Sequence, residues 1–280
     1  MCIEIDTTCR IKGGRVGVLL IHGLYGNPGE LRFVAESLGA AGYSVSCPML
    51  DGHGGASADR NASTWRDWLG AASAALDELR KDCDLVYCGG LSTGAALSLM
   101  LAAEQPGKVQ GTVLLSPTLW RNGRLTPWYE MVSALLARTL SPGPNRSTGR
   151  ERGGFGGGIA GFFRKVLSGV AHPSGAAGAA GTAAAEHRRL VEELRGKVGG
   201  IAQPALIVHP RDDAEADLAN AWYLQRNLKG LVDMVMLDER CGCQCADVRR
   251  QVLAGHVLGF LDRLSAGRKG KVEAGAASAA

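Results

Sequence analysis

A serine stands at the centre of a glycine-rich pentapeptide, Gly90-Leu-Ser-Thr-Gly94, with a short apolar stretch before it and a run of small residues after it. This order predicts a strand, a sharp turn and a helix, with Ser92 on the turn. Such a turn is too cramped for larger side chains, and it projects the serine hydroxyl toward the N–H groups that open the helix. The pattern predicts a nucleophilic serine; the alternative is a glycine-rich turn that contains a serine by chance.

The segments on both sides of this turn predict the elements that would hold it. Residues 15–21 and 205–209 contain the apolar runs Val16–Ile21 and Ala205–Val208, which are typical of strands buried on both faces. Between the runs, apolar residues recur at spacings of three and four, most clearly over residues 65–79, which predicts helices. Strands that alternate with helices predict an α/β fold, with a parallel sheet covered by helices on both faces.

The alternation stops between residues 119 and 203, where aromatic helical stretches and a Gly/Ala-rich segment replace clear strands. Because this excursion is too long for a loop, we predict a helical cap inserted over the sheet edge. The predicted organisation is therefore a core made of residues 1–118 and 204–265, a cap over 119–203 and a disordered tail over 266–280. Aromatic residues of the cap, such as Trp120, either line an apolar acyl pocket or pack on one another.

Together these features resemble the α/β-hydrolase superfamily, and within it bacterial carboxylesterases and monoacylglycerol-lipase-like enzymes of the serine aminopeptidase type. The likeness covers residues 14–264. It rests on four motifs, Leu20-Ile-His-Gly-Leu24, Leu50-Asp-Gly-His-Gly54, Gly90-Leu-Ser-Thr-Gly94 and Ile207-Val-His-Pro-Arg-Asp-Asp213. The resemblance implies an α/β-hydrolase fold, with a mostly parallel central sheet, flanking helices and an inserted helical cap.

The resemblance also implies roles for individual residues. Ser92 would be the nucleophile and Asp213 the triad acid, with Asp212 as the adjacent alternative. The backbone N–H groups of Leu24 and Thr93 would form the oxyanion hole, because acyl transfer builds negative charge on the carbonyl oxygen.

One part of the triad is missing from its expected place. The triad order is Ser, Asp, His, and the family places the histidine just after the last strand, which corresponds to Gly242 here. No histidine occurs between residues 210 and 255, so the base is unidentified; His172 and His187, in the predicted cap, could reach the site. Loss of the histidine from a serine protease lowers the rate by a factor on the order of 10⁶. The enzyme then still accelerates the reaction ~10³–10⁴-fold over the rate in water.

Three cysteines, Cys241, Cys243 and Cys245, occupy the segment where the histidine is expected. Thiols at this spacing suit a soft metal, but no second Cys or His cluster supplies a fourth ligand nearby, so we expect no metal and no other cofactor. A drifted surface loop is the alternative reading, and the role of the three thiols is left open. The other cysteines, Cys9 and Cys47 among them, are expected to be free thiols.

Composition limits the classes of partner. The net charge is +4 over 280 residues with no basic block, which is too mild to indicate nucleic acid. No apolar run reaches the ~18 residues of a membrane span, and residues 1–6 show no secretory pattern, so we expect a cytoplasmic location.

The predicted function is a serine hydrolase that cleaves carboxylic esters or thioesters with an apolar acyl group through an acyl-Ser92 intermediate. Its partner would be a small-molecule ester, and its activity would be impaired by the missing histidine. The alternative is a hydrolase-fold binding protein without turnover. The leaving group and the oligomeric state are left open.

Overall fold

Seven strands form one sheet in a computed structural model that describes residues 8–53, 63–120, 180–211, 216–237 and 246–278. The strands are β1 (Cys9–Ile11), β2 (Val16–Ile21), β3 (Ser44–Cys47), β4 (Leu85–Leu91), β5 (Thr112–Leu115), β6 (Ala205–Pro210) and β7 (Val232–Leu237). Their spatial order is β1-β3-β2-β4-β5-β6-β7. Only the β1–β3 pair is antiparallel among them, which confirms the predicted, mostly parallel α/β sheet.

Helices cover both faces of this sheet. They are α1 (Arg32–Ala40), α2 (Trp65–Asp82), α3 (Thr93–Glu104), α4 (Ala180–Arg195), α5 (Ala219–Asn227) and α6 (Ala246–Ser278), with short 3-10 turns at Pro28–Leu31 and Val198–Gly200. Helices α1 and α6 pack on one face, and α2 to α5 pack on the other. None of the helices within the described ranges is long and apolar enough to cross a membrane.

The central strands are apolar without interruption because each serves two cores. In β2, Val18 and Leu20 point into the cluster that contains α1 and α6. Leu19 and Ile21 point into the cluster on the opposite face. Since successive side chains of a strand point to opposite faces, a strand covered on both sides must be apolar at every position. The runs seen in the sequence have this physical origin.

Side-chain caps fix the starts of two helical segments. Thr64 accepts a hydrogen bond from the N–H of Asp67, whose carboxylate accepts one from the Thr64 N–H, and this capping box opens α2. At the turn before α1, Asn27 Oδ1 accepts from the N–H of Gly29 at 2.9 Å. This second cap fixes the chain just after β2, where the first catalytic loop is expected.

The structure departs from the sequence expectations at three places. Helix α6 continues to Ser278, so residues 266–278 are helical where a disordered tail was expected; the many alanines, with Lys and Glu among them, favour a helix. Helix α4, within the predicted cap, packs in the same buried cluster as the core helices. Cys9 is disulfide-bonded on the edge strand β1, whereas the free thiols Cys47, Cys83 and Cys88 are buried, so the expectation of a free thiol is wrong for Cys9.

Candidate active site

Ser92 occupies a strained turn between β4 and α3. Its backbone has φ 54° and ψ −111°, a region that residues other than glycine rarely adopt and that costs about 1–3 kcal/mol. The Ser92 N–H donates to the carbonyl of Leu115 at 3.0 Å, which ties the turn to the end of β5. The strand, turn and helix follow in the order that the sequence predicted.

Two glycines allow the turn to approach its neighbours. A Cβ placed on Gly94 would lie 2.0 Å from the carbonyl oxygen of Ile21, and one on Gly90 would lie 2.4 Å from the backbone of Gly94. These contacts are with backbone atoms, which cannot move aside. The first turn of α3 therefore packs directly on the end of β2, and only glycine fits at either position.

The loop after β2 lies against Ser92. A Cβ placed on Gly23 would lie 3.8 Å from Cβ of Ser92, and the next residue, Leu24, is buried. Thr93, the residue after the nucleophile, is also buried and opens α3, where the first N–H groups of a helix have no intrahelical acceptor. The two residues expected to form the oxyanion hole thus lie on segments that meet at Ser92.

Buried polar groups hold this loop in shape. Glu30 is 2% exposed, and its carboxylate accepts a hydrogen bond from the N–H of Gly23 at 3.3 Å. His22 is fully buried; its Nε2 accepts from the N–H of Leu50 at 3.2 Å, so Nδ1 carries the proton and donates to the Gly23 carbonyl at 2.9 Å. Burial, with a smaller effect from His53, lowers the pKa of His22 to about 3, so this imidazole stays neutral and structural.

His53 belongs to the same buried layer. Its ring meets the edge of Trp68 at 5.5 Å and that of His22 at 5.1 Å between centroids. His209, the last residue but one of β6, is fully buried and donates from Nδ1 to the Pro210 carbonyl at 2.7 Å. These imidazoles support loops at the carboxyl edge of the sheet. His256 is exposed on α6.

Thr118 is a neighbour of the nucleophile that the sequence analysis missed. Ser92 Oγ donates to Thr118 Oγ1 at 3.2 Å, and that hydroxyl donates in turn to the carbonyl of Ser116 at 3.2 Å. A threonine hydroxyl accepts a hydrogen bond but is not a base near neutral pH. The hydrogen bond orients Ser92 Oγ without activating it.

An imidazole from α4 reaches the residue next to the nucleophile. His187 Nδ1 lies 3.1 Å from Oγ1 of Thr93. Helix α4 is fixed there by Glu186, which accepts a hydrogen bond from the N–H of Trp65 at 3.2 Å and pairs with Arg189. Two neighbouring residues of α4 thus contact the first residues of α2 and α3.

The helical spacing around His187 is a sequence signal that could have placed this residue on the core-facing side of α4. His187 shares one helical stripe with Ala183, Leu190 and Leu194, all three of them buried. A stripe of that spacing predicts that His187 faces the core. The Gly/Ala-rich segment before His187 has few large apolar residues, so the helical spacing is difficult to recognise in the sequence.

The remaining expected site residues lie outside the described part of the chain. This holds for the predicted acid Asp213 and its alternative Asp212, for Gly242 at the expected position of the base, and for Cys241, Cys243 and Cys245. Among the residues that the structure does describe, no group of three His, Cys, Asp or Glu side chains is arranged to hold a metal ion.

Comparison with known sequences agrees with this geometry. Residues 14–149 match the serine aminopeptidase family, S33. A thermostable monoacylglycerol lipase of Bacillus sp. (strain H-257) is 39% identical over 95 residues, and a carboxylesterase of Bacillus subtilis (strain 168) is 31% identical over 98 residues. These stretches cover 34% and 35% of this chain, and they span only 38% and 40% of the two relatives.

Solved structures extend the likeness over nearly the whole chain. A structure reported for the metagenome-derived lipolytic enzymes LipS and LipT has a TM-score of 0.68 and 24% identity, and it covers 94% of this chain and 100% of the other. A soluble variant of monoglyceride lipase from Saccharomyces cerevisiae has a TM-score of 0.64 and 16% identity, with 92% and 90% covered. At such identities the likeness shows the fold. Together with the sequence matches over part of the chain, it makes the chain similar to carboxylesterases and monoacylglycerol lipases, on an α/β-hydrolase fold.

Proposed function

We propose that this chain is a serine hydrolase that cleaves carboxylic esters or thioesters with an apolar acyl group. The observation that carries the proposal is the backbone of Ser92, held at φ 54° between β4 and α3 and facing the loop after β2. Strain of this kind is kept where function requires it. The lipase and carboxylesterase relatives support an ester as the small-molecule substrate.

In the proposed reaction Ser92 Oγ attacks the carbonyl carbon of the substrate. The carbonyl oxygen becomes an oxyanion between the N–H groups of Leu24 and Thr93. The proton of Oγ leaves to a base and then joins the departing alcohol or thiol, which gives an acyl-Ser92. Water attacks this intermediate, releases the carboxylic acid and restores the serine. Asp213 would act through the base, as the acid does in the superfamily.

The base is the open part of this proposal. Ser92 Oγ donates to Thr118, and His187 lies beside Thr93, the residue after Ser92. Because Gly242 stands where an imidazole is expected, we expect slow turnover. The rate enhancement over the reaction in water should be close to the ~10³–10⁴-fold that remains when a triad member is removed.

The test is hydrolysis of p-nitrophenyl butyrate by the wild-type chain and by Ser92→Ala. Ser98→Ala is the matched control, because Ser98 lies in α3 and donates to the Gly94 carbonyl at 2.8 Å without facing the site. We expect Ser92→Ala to abolish the rate above background and Ser98→Ala to retain it. A series of acyl lengths from acetate to dodecanoate would then define the acyl group.

A fluorophosphonate probe separates a weak enzyme from a binding protein. The probe forms a phosphonyl ester with an activated serine and releases fluoride, and mass spectrometry locates the modified peptide. Labelling at Ser92, absent from Ser92→Ala, supports a working nucleophile even if turnover is slow. Equal background hydrolysis by wild type and Ser92→Ala, with no labelling, would refute the proposed hydrolase and favour the binding protein.

A further inference from the structure

A cavity lies between the end of α4, the outer side of α5 and the ring of Trp120. Its volume is about 580 Å³, within the range of small-molecule sites. Its lining includes aromatic, cationic and amide side chains, namely Trp120, Trp222, Tyr223, Arg195, Arg226 and Asn227. We call it the lateral cleft. Arg195 is eight residues beyond His187 in α4, so the cleft lies about 12 Å along that helix from the contact with Thr93.

Helix α5 presents a separate stripe of residues to the lateral cleft. Trp222, Tyr223, Arg226 and Asn227 recur at three- and four-residue spacing and line the cavity. The core-facing side of α5 is formed by other residues, Ala221 and Leu224 among them, which are buried. Trp222 remains 37% exposed, although an indole of this size contributes most when it is covered. The helix thus buries one stripe in the core and leaves an aromatic and cationic stripe facing the cavity.

The aromatic wall of the cleft is rigid. Asn220 is fully buried, and it both accepts from the Trp120 N–H at 2.8 Å and donates to the Trp120 carbonyl at 3.0 Å. The Trp120 ring meets Tyr223 edge to face, with 4.8 Å between centroids. A ring fixed at its backbone and at its edge needs little further ordering when a ligand packs on it.

Arg195 and Arg226 supply the cationic side of the cleft. Within the described residues neither Arg195 nor Arg226 is paired with a carboxylate, and the guanidinium of Arg195 instead lies 5.4 Å from the Trp120 ring centroid. Nearby cations of α4 and the following turn behave differently, since Arg189 pairs with Glu186, and Lys197 pairs with Glu104 at 2.7 Å and with Glu193 at 3.0 Å. None of the described residues that line the cleft is acidic. Planar guanidinium groups bind carboxylates and phosphates through paired hydrogen bonds.

We propose that the lateral cleft binds an organic anion with a flat apolar body. Arg195 and Arg226 bind the carboxylate or phosphate head, and the body lies against the indoles of Trp120 and Trp222. The charge of the arginines selects the anion, and the aromatic rings select a planar or apolar body over a small hydrated ion. The site depends on none of the catalytic residues proposed above, so it stands or falls independently of ester hydrolysis.

The test is a titration of 2-naphthoate into ¹⁵N-labelled Ser92→Ala protein, followed through the tryptophan indole N–H signals. Signals of Trp120 and Trp222 are assigned from Trp120→Phe and Trp222→Phe variants. We expect saturable shifts at these two indoles. We also expect about tenfold weaker binding in Arg195→Gln and in Arg226→Gln, because a charge-assisted contact is lost in each. Arg188→Gln, an exposed arginine of α4 that does not line the cleft, is the matched control and should bind like the parent.

Two further probes separate the head group from the body. Naphthalene-2-carboxamide keeps the ring without the charge and should bind at least tenfold more weakly than 2-naphthoate. The comparison of 2-naphthyl phosphate with 2-naphthoate identifies which anion the arginines prefer, and either preference supports the site. The proposal is overturned if the carboxamide binds as tightly as the carboxylate, if the two indoles do not shift, or if an Arg195→Gln/Arg226→Gln variant with an unchanged urea midpoint binds as tightly as the parent.

Discussion

Asn220→Ala removes the link that joins α5 to the segment after β5. The side chain is fully buried. Its Oδ1 accepts from the N–H groups of Leu119 at 2.9 Å and Trp120 at 2.8 Å. Its Nδ2 donates to the carbonyl of Trp120 at 3.0 Å and to that of Asp217 at 2.8 Å. Alanine makes none of these four hydrogen bonds and leaves the buried N–H of Leu119 without its acceptor.

The expected loss follows from this geometry. A typical hydrogen bond contributes about 1 kcal/mol net, so four of them set an upper value near ~4 kcal/mol. Trp120 and Asp217 are partly exposed, and water can replace part of what they lose. We therefore expect the free energy of unfolding to fall by about 3 kcal/mol. With a urea m-value of about 2–3 kcal/mol/M, the midpoint should drop by on the order of 1 M.

The assay is urea denaturation followed by circular dichroism, with Asn227→Ala as the matched control. Asn227 is exposed and makes one hydrogen bond, to the Tyr223 carbonyl at 2.8 Å, so its loss should cost less than about 0.5 kcal/mol. Amide hydrogen exchange should show that Leu119 loses protection in Asn220→Ala. Equal destabilisation by the two variants, or unchanged protection at Leu119, would refute the reasoning.

Three other perturbations test the site directly. The pKa of His22 is about 3 in the folded chain, against 6.5 in the unfolded chain. Between these pH values the unfolded chain binds more protons than the folded chain. The free energy of unfolding is therefore highest above pH 6.5 and falls by about 1.4 kcal/mol per pH unit as the pH decreases toward 3. In Gly94→Ala the new methyl meets the Ile21 carbonyl oxygen at 2.0 Å, so we expect loss of Ser92 labelling and destabilisation of about 3 kcal/mol or more. His187→Ala removes the contact with Thr93. We expect kcat for p-nitrophenyl butyrate to fall about tenfold, which is a smaller loss than the ~10²–10³-fold decrease in kcat caused by deleting an oxyanion-hole donor.

Each of these predictions has a control in the same fold. In His22→Gln the acid-dependent loss, measured by urea unfolding between pH 7 and 4, should be smaller than in wild type; identical slopes would contradict the assignment to His22. Gly70→Ala, at a helical position with nothing within 4 Å, should be neutral or slightly stabilising. His256→Ala, on the exposed side of α6, should leave kcat unchanged. A His187→Ala rate equal to the His256→Ala rate would remove His187 from the site.

The sequence predicted those features whose cause is local. The run in β2 is apolar because neighbouring residues face two cores, and Gly90 and Gly94 flank Ser92 because one tight turn needs them both. The capping box of α2 spans only Thr64 to Asp67. Such signals lie within a few residues of one another and can be recognised without the fold.

The features that the sequence did not predict depend on distant partners. His187 and Thr93 are 94 residues apart, and Asn220 and Trp120 are 100 residues apart. Nothing near Thr118 in the sequence indicates that its hydroxyl accepts from Ser92. Strand β1 has only three residues, which are too few for a periodic pattern in the sequence. It forms because its backbone pairs with the edge of β3.

The uneven burial of the sheet has an evolutionary consequence. β6 is buried along its whole length, whereas every position of the edge strand β7 is at least partly exposed. The chain after β7 leaves a partly exposed strand and returns to the core in α6, where Leu253 and Val257 are buried. Cys241, Cys243 and Cys245, where the family resemblance implies a histidine, belong to the sequence between β7 and α6. Because a partly exposed strand buries less apolar area than β6, substitutions in β7 should cost less stability than matching substitutions in β6, so β7 can vary more freely in evolution.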